Sequence, residues 1–424
     1  MPINNKFADF STWLPLEAKI SQEKLLDAIS RPDTARGAVI ASPSKSKPDY
    51  YFHWVRDAGL SMDVVVELYV REQNSEQKKI WNQKLLDFVN FSKSNQASIA
   101  LTGLGEPKFY VDGKSFDLPW GRPQNDGPAL RALTLIRFAN LKLQEGQRQY
   151  VVENLYDGRL PSTSVIKADL EYVAARWADP SFDLWEEVLG DHYFTRIVQA
   201  AALEQGAALA AALNDGGASD WYLRQAQRIR ASLKDYSNTN KSYIVATLNR
   251  AGGMGGKDSN LDAAVILGLL RAGYFSQFLK DPKLTGTLNA LDSAFADLYP
   301  INRSHRNLGT AIGRYPEDVY DGDKFEGGNP WVLTTLAVAE AYYELAAHSK
   351  KTGNKQLADS YVQTGDSYFK RVQFHSNPDG SLSEQISRFN GYMTSAYDLT
   401  WNYAAVLTAN WAREKALNRS TQPK

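Results

Sequence analysis

The stretch "KKIWNQKLLDFVNFSKSN" (78–95) returns an apolar side chain every three or four positions, and "DAGLSMDVVVELYVRE" (57–72) does the same. That spacing gathers the apolar groups on one stripe of a half-buried α-helix. "GPALRALTLIRFANLKL" (127–143) repeats the pattern and carries Pro128 in its first turn, where the missing N–H costs nothing. Stretches of the same kind fall at 21–30, 163–177, 192–213, 217–234, 259–272, 283–298, 329–347, 353–371 and 396–414. The pattern predicts twelve helices, and strand-like alternation is scarce.

The breaks between these helices are uneven. "REQNSEQ" (71–77) is short, whereas 41–56, 99–126, 178–190, 299–328 and 374–395 are long and rich in Gly, Pro and aromatic residues. Loops of that length in a compact domain usually carry function. Twelve amphipathic helices joined by alternating short and long links imply an all-α fold. The expected form is an (α/α)6 barrel of six inner and six outer helices, with the long loops forming a pocket at one end. No repeat of fixed period supports a solenoid. No linker divides the chain, so residues 1–424 are expected to form a single domain.

Composition narrows the chemistry. Forty-eight basic residues balance 48 acidic ones, which gives no electrostatic case for nucleic acid or an anionic membrane. The absence of cysteine removes disulfides, thiolate metal sites and a Cys nucleophile, and the five histidines form no metal-binding pair. No cofactor and no metal are expected. No window is apolar enough to span a membrane. The start, "MPINNKFADF", does not read as a signal peptide. Ten Trp and 22 Tyr suit the faces of sugars, and they equally suit the core of a large helical protein.

Each long loop ends in a polar-aromatic cluster before a helix. "PDYYFHWVRDAGL" (48–60) sets Arg56 beside Asp57: either a rigid fork for hydroxyls, or a helix whose N-cap is Asp57. "FDLPWGRPQNDGPALRA" (116–132) holds Trp120, Arg122 and Asp126, with capping the expected role of Asp126. "GRYPEDVY" (313–320) holds Arg314 and Asp318, and the segment 381–405 holds Glu384, with Ser395 placed to cap the last helix. "SFDLWEEVLGDHYF" (181–194) packs four carboxylates among aromatic rings. On a regular surface helix Glu186 and Glu187 would be wet and unremarkable. A segment this short between Pro180 and Gly190 reads better as a loop. A carboxyl held against apolar rings there gains a raised pKa and can donate a proton.

Taken together, "YYFHWVRD", "GLGEPKF", "WGRPQNDGPALRA", "DLWEEV", "GRYPED", "GGNPW" and "LSEQ…DLTWNYAA" resemble, in order, the motifs of the glucoamylases of glycoside hydrolase family 15. The resemblance runs from about residue 10 to residue 412 and is strongest to the fungal-type catalytic domain. It implies exo-acting hydrolysis of α-1,4 bonds, and of α-1,6 bonds more slowly. Cleavage from the non-reducing ends of starch, glycogen or malto-oligosaccharides would release β-glucose with inversion. Glu186 would be the general acid and Glu384 the general base. Such an inversion needs two carboxyls about 6.5–9.5 Å apart with room for water between them.

Matching positions imply the remaining roles. Arg56 and Asp57 would bind the terminal glucose, and Arg314 with the carbonyl of Leu184 would hold the same ring. Glu187 would touch the next sugar, and Asp183 would support the loop. Tyr50, Trp54, Trp120, Trp185, Trp331 and Trp401 would line the site. His53, Val55 and Asn125 depart from the usual pattern, and "DGDKFE" (321–326) looks like an added segment at the pocket rim. The chain after the barrel, "NRSTQPK", leaves no room for a starch-binding domain, so weak adsorption to raw granules is expected. A monomer is the default. Family habit points to secretion with the leader removed, and the initial Met to the cytoplasm. Other readings are a different inverting barrel enzyme, such as a trehalase or disaccharide phosphorylase, or a non-catalytic glucan-binding module.

Overall fold

The computed structural model describes residues 9–418, so the expectations placed on residues 1–8 and 419–424 lie outside it. Fourteen helices occur among the described residues: α1 (Phe10–Asp27), α2 (Val55–Arg71), α3 (Ser75–Ala97), α4 (Asp126–Gln144), α5 (Arg148–Asn154), α6 (Val165–Arg176), α7 (Tyr193–Ala212), α8 (Gly216–Ser237), α9 (Ala264–Arg271), α10 (Pro282–Leu298), α11 (Pro300–Ser304), α12 (Val332–Lys351), α13 (Lys355–His375) and α14 (Thr400–Leu417). Leaving aside the short α5 and α11, each of the rest overlaps one of the twelve expected helices. α1 starts at Phe10, well before the expected residue 21, and runs through Pro15, which local rules count as a helix break.

Inner and outer helices alternate along the chain. α2 packs on α4, α4 on α7, α7 on α9, α9 on α12, α12 on α14, and α14 back on α2, which closes a ring. α1, α3, α6, α8, α10 and α13 form the outer layer. The ring helices are buried on more than one face: α7 hides fifteen of its twenty residues, many of them Ala, where a surface helix would hide one stripe. Small residues let the layers approach closely. A Cβ on Gly206 of α7 would lie 2.5 Å from a methyl of Leu170 on α6.

The two ends of the barrel differ. Links leaving the inner helices are short in three cases, 72–74, 213–215 and 352–354. Every link entering an inner helix is long: 28–54, 98–125, 177–192, 238–263, 299–331 and 376–399. The caps follow the same division. Asp9, Asn74, Asp215, Asp281 and Asn354 cap outer helices with their side chains. None of the six inner helices has a side-chain cap. Their N-terminal ends share the end of the barrel where the long loops collect, and loop carbonyls accept several of their first N–H groups, such as Pro107 from Val55 and Ala246 from Tyr193.

Those loops carry the only strands among the described residues. β1 (His53–Trp54) pairs with β2 (Lys108–Phe109), with Trp54 opposite Lys108. β3 (Ser181–Phe182), β4 (Val188–His192) and β5 (Thr247–Gly253) form an antiparallel sheet. β6 (Gln385–Ile386) and β7 (Met393–Thr394) form a hairpin.

Candidate active site

The stretch 181–192 is a β-hairpin of β3 and β4 whose connecting loop, 183–187, carries Asp183, Glu186 and Glu187, and α7 begins at Tyr193. Phe182 pairs with Leu189, and the turn between them is tied by Asp183. The Asp183 carboxylate accepts the N–H groups of Glu187 (2.7 Å) and Val188 (3.1 Å) on Oδ1 and the Lys257 ammonium (2.8 Å) on Oδ2. Burial alone would raise its pKa, but Lys257 and His192 outweigh burial and hold it at about 2. The knot forces Glu186 into the left-handed region, φ +69°, which turns its side chain away from those of its neighbours. Gly253 of β5 presses on the same turn: a Cβ there would sit 2.2 Å from the Glu187 carbonyl, so only Gly fits.

Glu186 meets N–H edges where bare ring faces were expected. Trp54 Nε1 donates to Oε1 at 2.7 Å, Gln124 Nε2 to Oε1 at 3.0 Å and Trp120 Nε1 to Oε2 at 2.9 Å. Arg56 Nη2 lies 3.4 Å from Oε1. Trp120 is 39% exposed, so one side of it is open to a ligand. Arg122 holds the Trp120 loop through Glu106 (2.7 Å) and the carbonyls of Leu118 and Phe116.

Glu384 lies on the other long loop and is buried. Its Oε2 accepts the Ser395 hydroxyl at 2.5 Å and the Gln385 amide at 3.0 Å. Burial pushes its pKa up to about 7 against the opposing effects of Ser395, Tyr50, Arg314 and Gln385. The expectation that Ser395 caps the last helix is incorrect: α14 begins five residues later, and Ser395 at φ +67° serves the carboxyl. Tyr50 lies within electrostatic reach of both Glu186 and Glu384, and its hydroxyl bonds that of Tyr320 (2.8 Å). Trp185 and Trp331 meet edge to face at 5.5 Å, and Trp331 pairs with Gln385, which joins the two carboxyl loops. The pair, distant in sequence, therefore belongs to one site.

Asp57 and Asp126 are not caps either. α2 begins two residues before Asp57, and Asn125 occupies the cap position of α4. Both acids turn inward onto Arg56, at 3.3 Å each. Burial raises the Asp57 pKa to about 6, opposed by Arg56 and reinforced by Glu186 and Asp126. Its Oδ2 faces Arg56 Nε as an ion pair at 3.3 Å, without the geometry of a hydrogen bond. Arg314 makes a fork with Asp318 (2.7 and 2.6 Å) and reaches Glu187 at 2.7 Å. Glu187 also receives Tyr315 (2.7 Å) and Lys257 (2.9 Å), so both of its oxygens are engaged by protein. Trp185 donates to Asp262 at 2.9 Å. Leu184 and Trp401 are buried, and neither side chain is bonded to the two carboxyls among the described residues.

The departures have structural places. His53 is a buried packing residue that accepts the Val39 N–H (3.0 Å), and burial with Arg131 lowers its pKa to about 3. Asn125 accepts the Tyr172 hydroxyl under the acid hairpin (2.8 Å). The segment 321–326 wraps its own backbone around Asp321 and sets Phe325 against Tyr320 at 5.4 Å. A Cβ on Gly322 would lie 2.3 Å from the Ser395 hydroxyl oxygen, so the segment packs beside Ser395. Sequence reading missed Gln124, Lys257, Asp262, Tyr315 and Tyr320. Lys257 lies in a Gly-rich stretch with no helical pattern and Asp262 near the start of the expected helix 259–272, and only the folded chain brings them to the hairpin. Among the described residues no group of His, Asp or Glu is arranged to hold a metal ion, and no helix is long and apolar enough to cross a membrane.

A closed double ring of helices with two carboxyls on separate loops, Glu384 buried and Glu186 partly exposed, among indole rings and a braced Arg–Asp pair, defines a carbohydrate-cleaving enzyme. The family model Glycosyl hydrolases family 15 matches residues 19–411, and the chain belongs to that family. It is 35% identical to a glucoamylase of Blastobotrys adeninivorans, across 97% of this chain and 73% of that one. It is also 35% identical to glucoamylase 1 of Rhizopus oryzae, across 96% and 71%. The solved glucoamylase of Saccharomycopsis fibuligera superposes with a TM-score of 0.87 at 31% identity, across 97% of this chain and 96% of that one.

Proposed function

We propose that Glu186 and Glu384 divide the work of an exo-acting, inverting glucan hydrolase. The substrate is the non-reducing end of starch, glycogen or a malto-oligosaccharide, cut at α-1,4 bonds and more slowly at α-1,6 bonds. Glu186 protonates the glycosidic oxygen as the bond to C1 breaks. Glu384 takes a proton from the water that attacks C1 from the opposite face, and β-glucose leaves. The four donors around Glu186 stabilise the carboxylate as it forms. Arg56, Asp57 and Arg314 bind the terminal ring, with the Leu184 carbonyl beside them. Trp120, Tyr50, Trp54, Trp185, Trp331 and Trp401 wall the pocket, and Glu187 orients Arg314 toward the sugar. The protein acts as a monomer outside the cell.

The observation that carries this reading is the contrast between the two carboxyls. One is ringed by N–H donors that favour the charge left after proton donation. The other is buried beside a serine, with a pKa near neutrality that suits proton uptake from water. Proton NMR of the anomeric signals during maltotetraose hydrolysis tests it, with Glu384→Gln alongside. β-Glucose appears first, and the variant loses about 10²–10⁴-fold in kcat. α-Glucose first, or an active variant, removes the assignment. A phosphate requirement would revive the phosphorylase reading, and binding of glucan without cleavage the non-catalytic one.

A further inference from the structure

Lys108 is a buried cation in the wall of the site for which the two-carboxyl chemistry has no task. The residue is 1% exposed and sits on β2 directly opposite Trp54. Among the described residues its ammonium forms no ion pair. It faces aromatic rings instead: the ring centre of Trp120 at 3.2 Å, Phe116 at 4.1 Å, and Phe52 and Trp54 at 4.4 Å each. The rings brace one another through edge contacts, Phe52 with Trp54 (5.8 Å), Phe52 with Phe116 (5.4 Å) and Phe116 with Trp120 (5.8 Å). A cation is attracted to the electron-rich face of each ring, most strongly to indole, and more so when water is excluded.

Two walls of this box are the indoles that hold Glu186, Trp54 on Oε1 and Trp120 on Oε2. A cation over an indole draws electron density from the ring and makes its N–H a stronger donor. We propose that Lys108 is a positioning residue for the acid. Seated among four aromatic rings, it fixes Trp54 and Trp120 so that both N–H groups meet Glu186, and it polarises both bonds toward the carboxylate that forms when Glu186 gives up its proton. The effect grows as charge develops, so it acts on kcat more than on substrate affinity.

The electrostatic surroundings are shared. Glu186, Asp49 and Glu106 favour the charged lysine while Arg122 opposes it, and burial lowers its pKa to about 8. Around Glu186 stand Arg56 and, on Arg56, Asp57 and Asp126, with Glu384 reaching the same space through Tyr50. Substitution of Lys108 leaves all of these in place.

The inference rests on the acid role of Glu186, and the experiment separates the two. Lys108→Leu, Lys108→Arg and Glu186→Gln are compared on maltotriose across the active pH range, with melting curves for each. Lys108→Leu loses about tenfold or more in kcat with little change in KM. The alkaline limb of its kcat profile moves to higher pH, because the departing proton has lost a cation that favoured its release. Lys108→Arg keeps the cation and recovers most of the activity. An unmoved alkaline limb, or an Arg variant no better than Leu, overturns the role of Lys108 while Glu186→Gln remains inactive. An active Glu186→Gln overturns the acid assignment itself. Lys108→Gln, neutral and of similar length, gives the same readout if the Leu variant does not fold.

Discussion

Ser395 donates its hydroxyl to Glu384 Oε2 across 2.5 Å, from eleven residues along the same chain segment. A donated hydrogen bond favours the ionised carboxyl, the form in which Glu384 can accept a proton from water. Activity that depends on this carboxylate is present above its pKa and lost as pH falls through it. Ser395→Ala removes the donor, raises the pKa further above about 7, and moves the acidic limb of kcat/KM to higher pH by up to about one unit. A pH–rate profile on maltose checks this. A limb that moves to lower pH would show that the serine favours the protonated form.

Lys257 binds Asp183 (2.8 Å) and Glu187 (2.9 Å) in a buried cluster. Lys257→Met leaves both acids without their cation, and breaking a buried pair from one side costs about 3–5 kcal/mol. The hairpin that aims Glu186 loosens. The expected outcome is a melting midpoint lower by several degrees together with a fall in kcat, read by calorimetry and kinetics on one sample. Unchanged kcat in a destabilised variant would mean the turn is held without it.

Glu17 on α1 is buried, and neither of its oxygens has a hydrogen-bond partner. Burial, reinforced by Asp379, raises its pKa from 4.5 to about 8. The folded protein thus keeps the proton where the unfolded chain has released it. Stability is full below about pH 4.5 and declines toward pH 8, by up to about 1.4 kcal/mol per unit. Glu17→Gln removes the titration. Its melting temperature exceeds that of the parent near pH 8 and approaches it near pH 4.5. A constant difference across that range would exclude ionisation of Glu17 as the cause.

The helical ring was legible because its signal is local. Apolar spacing alone places α2, α3, α4 and α7, since a helix writes its buried stripe every three or four residues. The start of α1 was hidden by Pro15, which local rules count as a break and packing against α14 overrides. The strands were illegible for the opposite reason. β5, "TLNRAGG", has no alternating pattern and exists because β4 and a tight glycine contact hold it. The resemblance brought Glu186 and Glu384 forward, but Ser395 was misjudged because Ser before a helix is the usual mark of a cap. The roles of Lys257 and Lys108 depend on partners in other loops, and no spacing rule reaches them.

The asymmetry between the two ends of the barrel gives evolutionary change a preferred direction. An insertion in a long link, such as 321–326, meets only the rim of the pocket and leaves the ring of inner helices undisturbed. An insertion at 72–74, 213–215 or 352–354 must instead pry apart a tight capped turn between two packed layers. Substrate preference and thermal robustness are therefore written at opposite ends of the same molecule, and one can drift without the other.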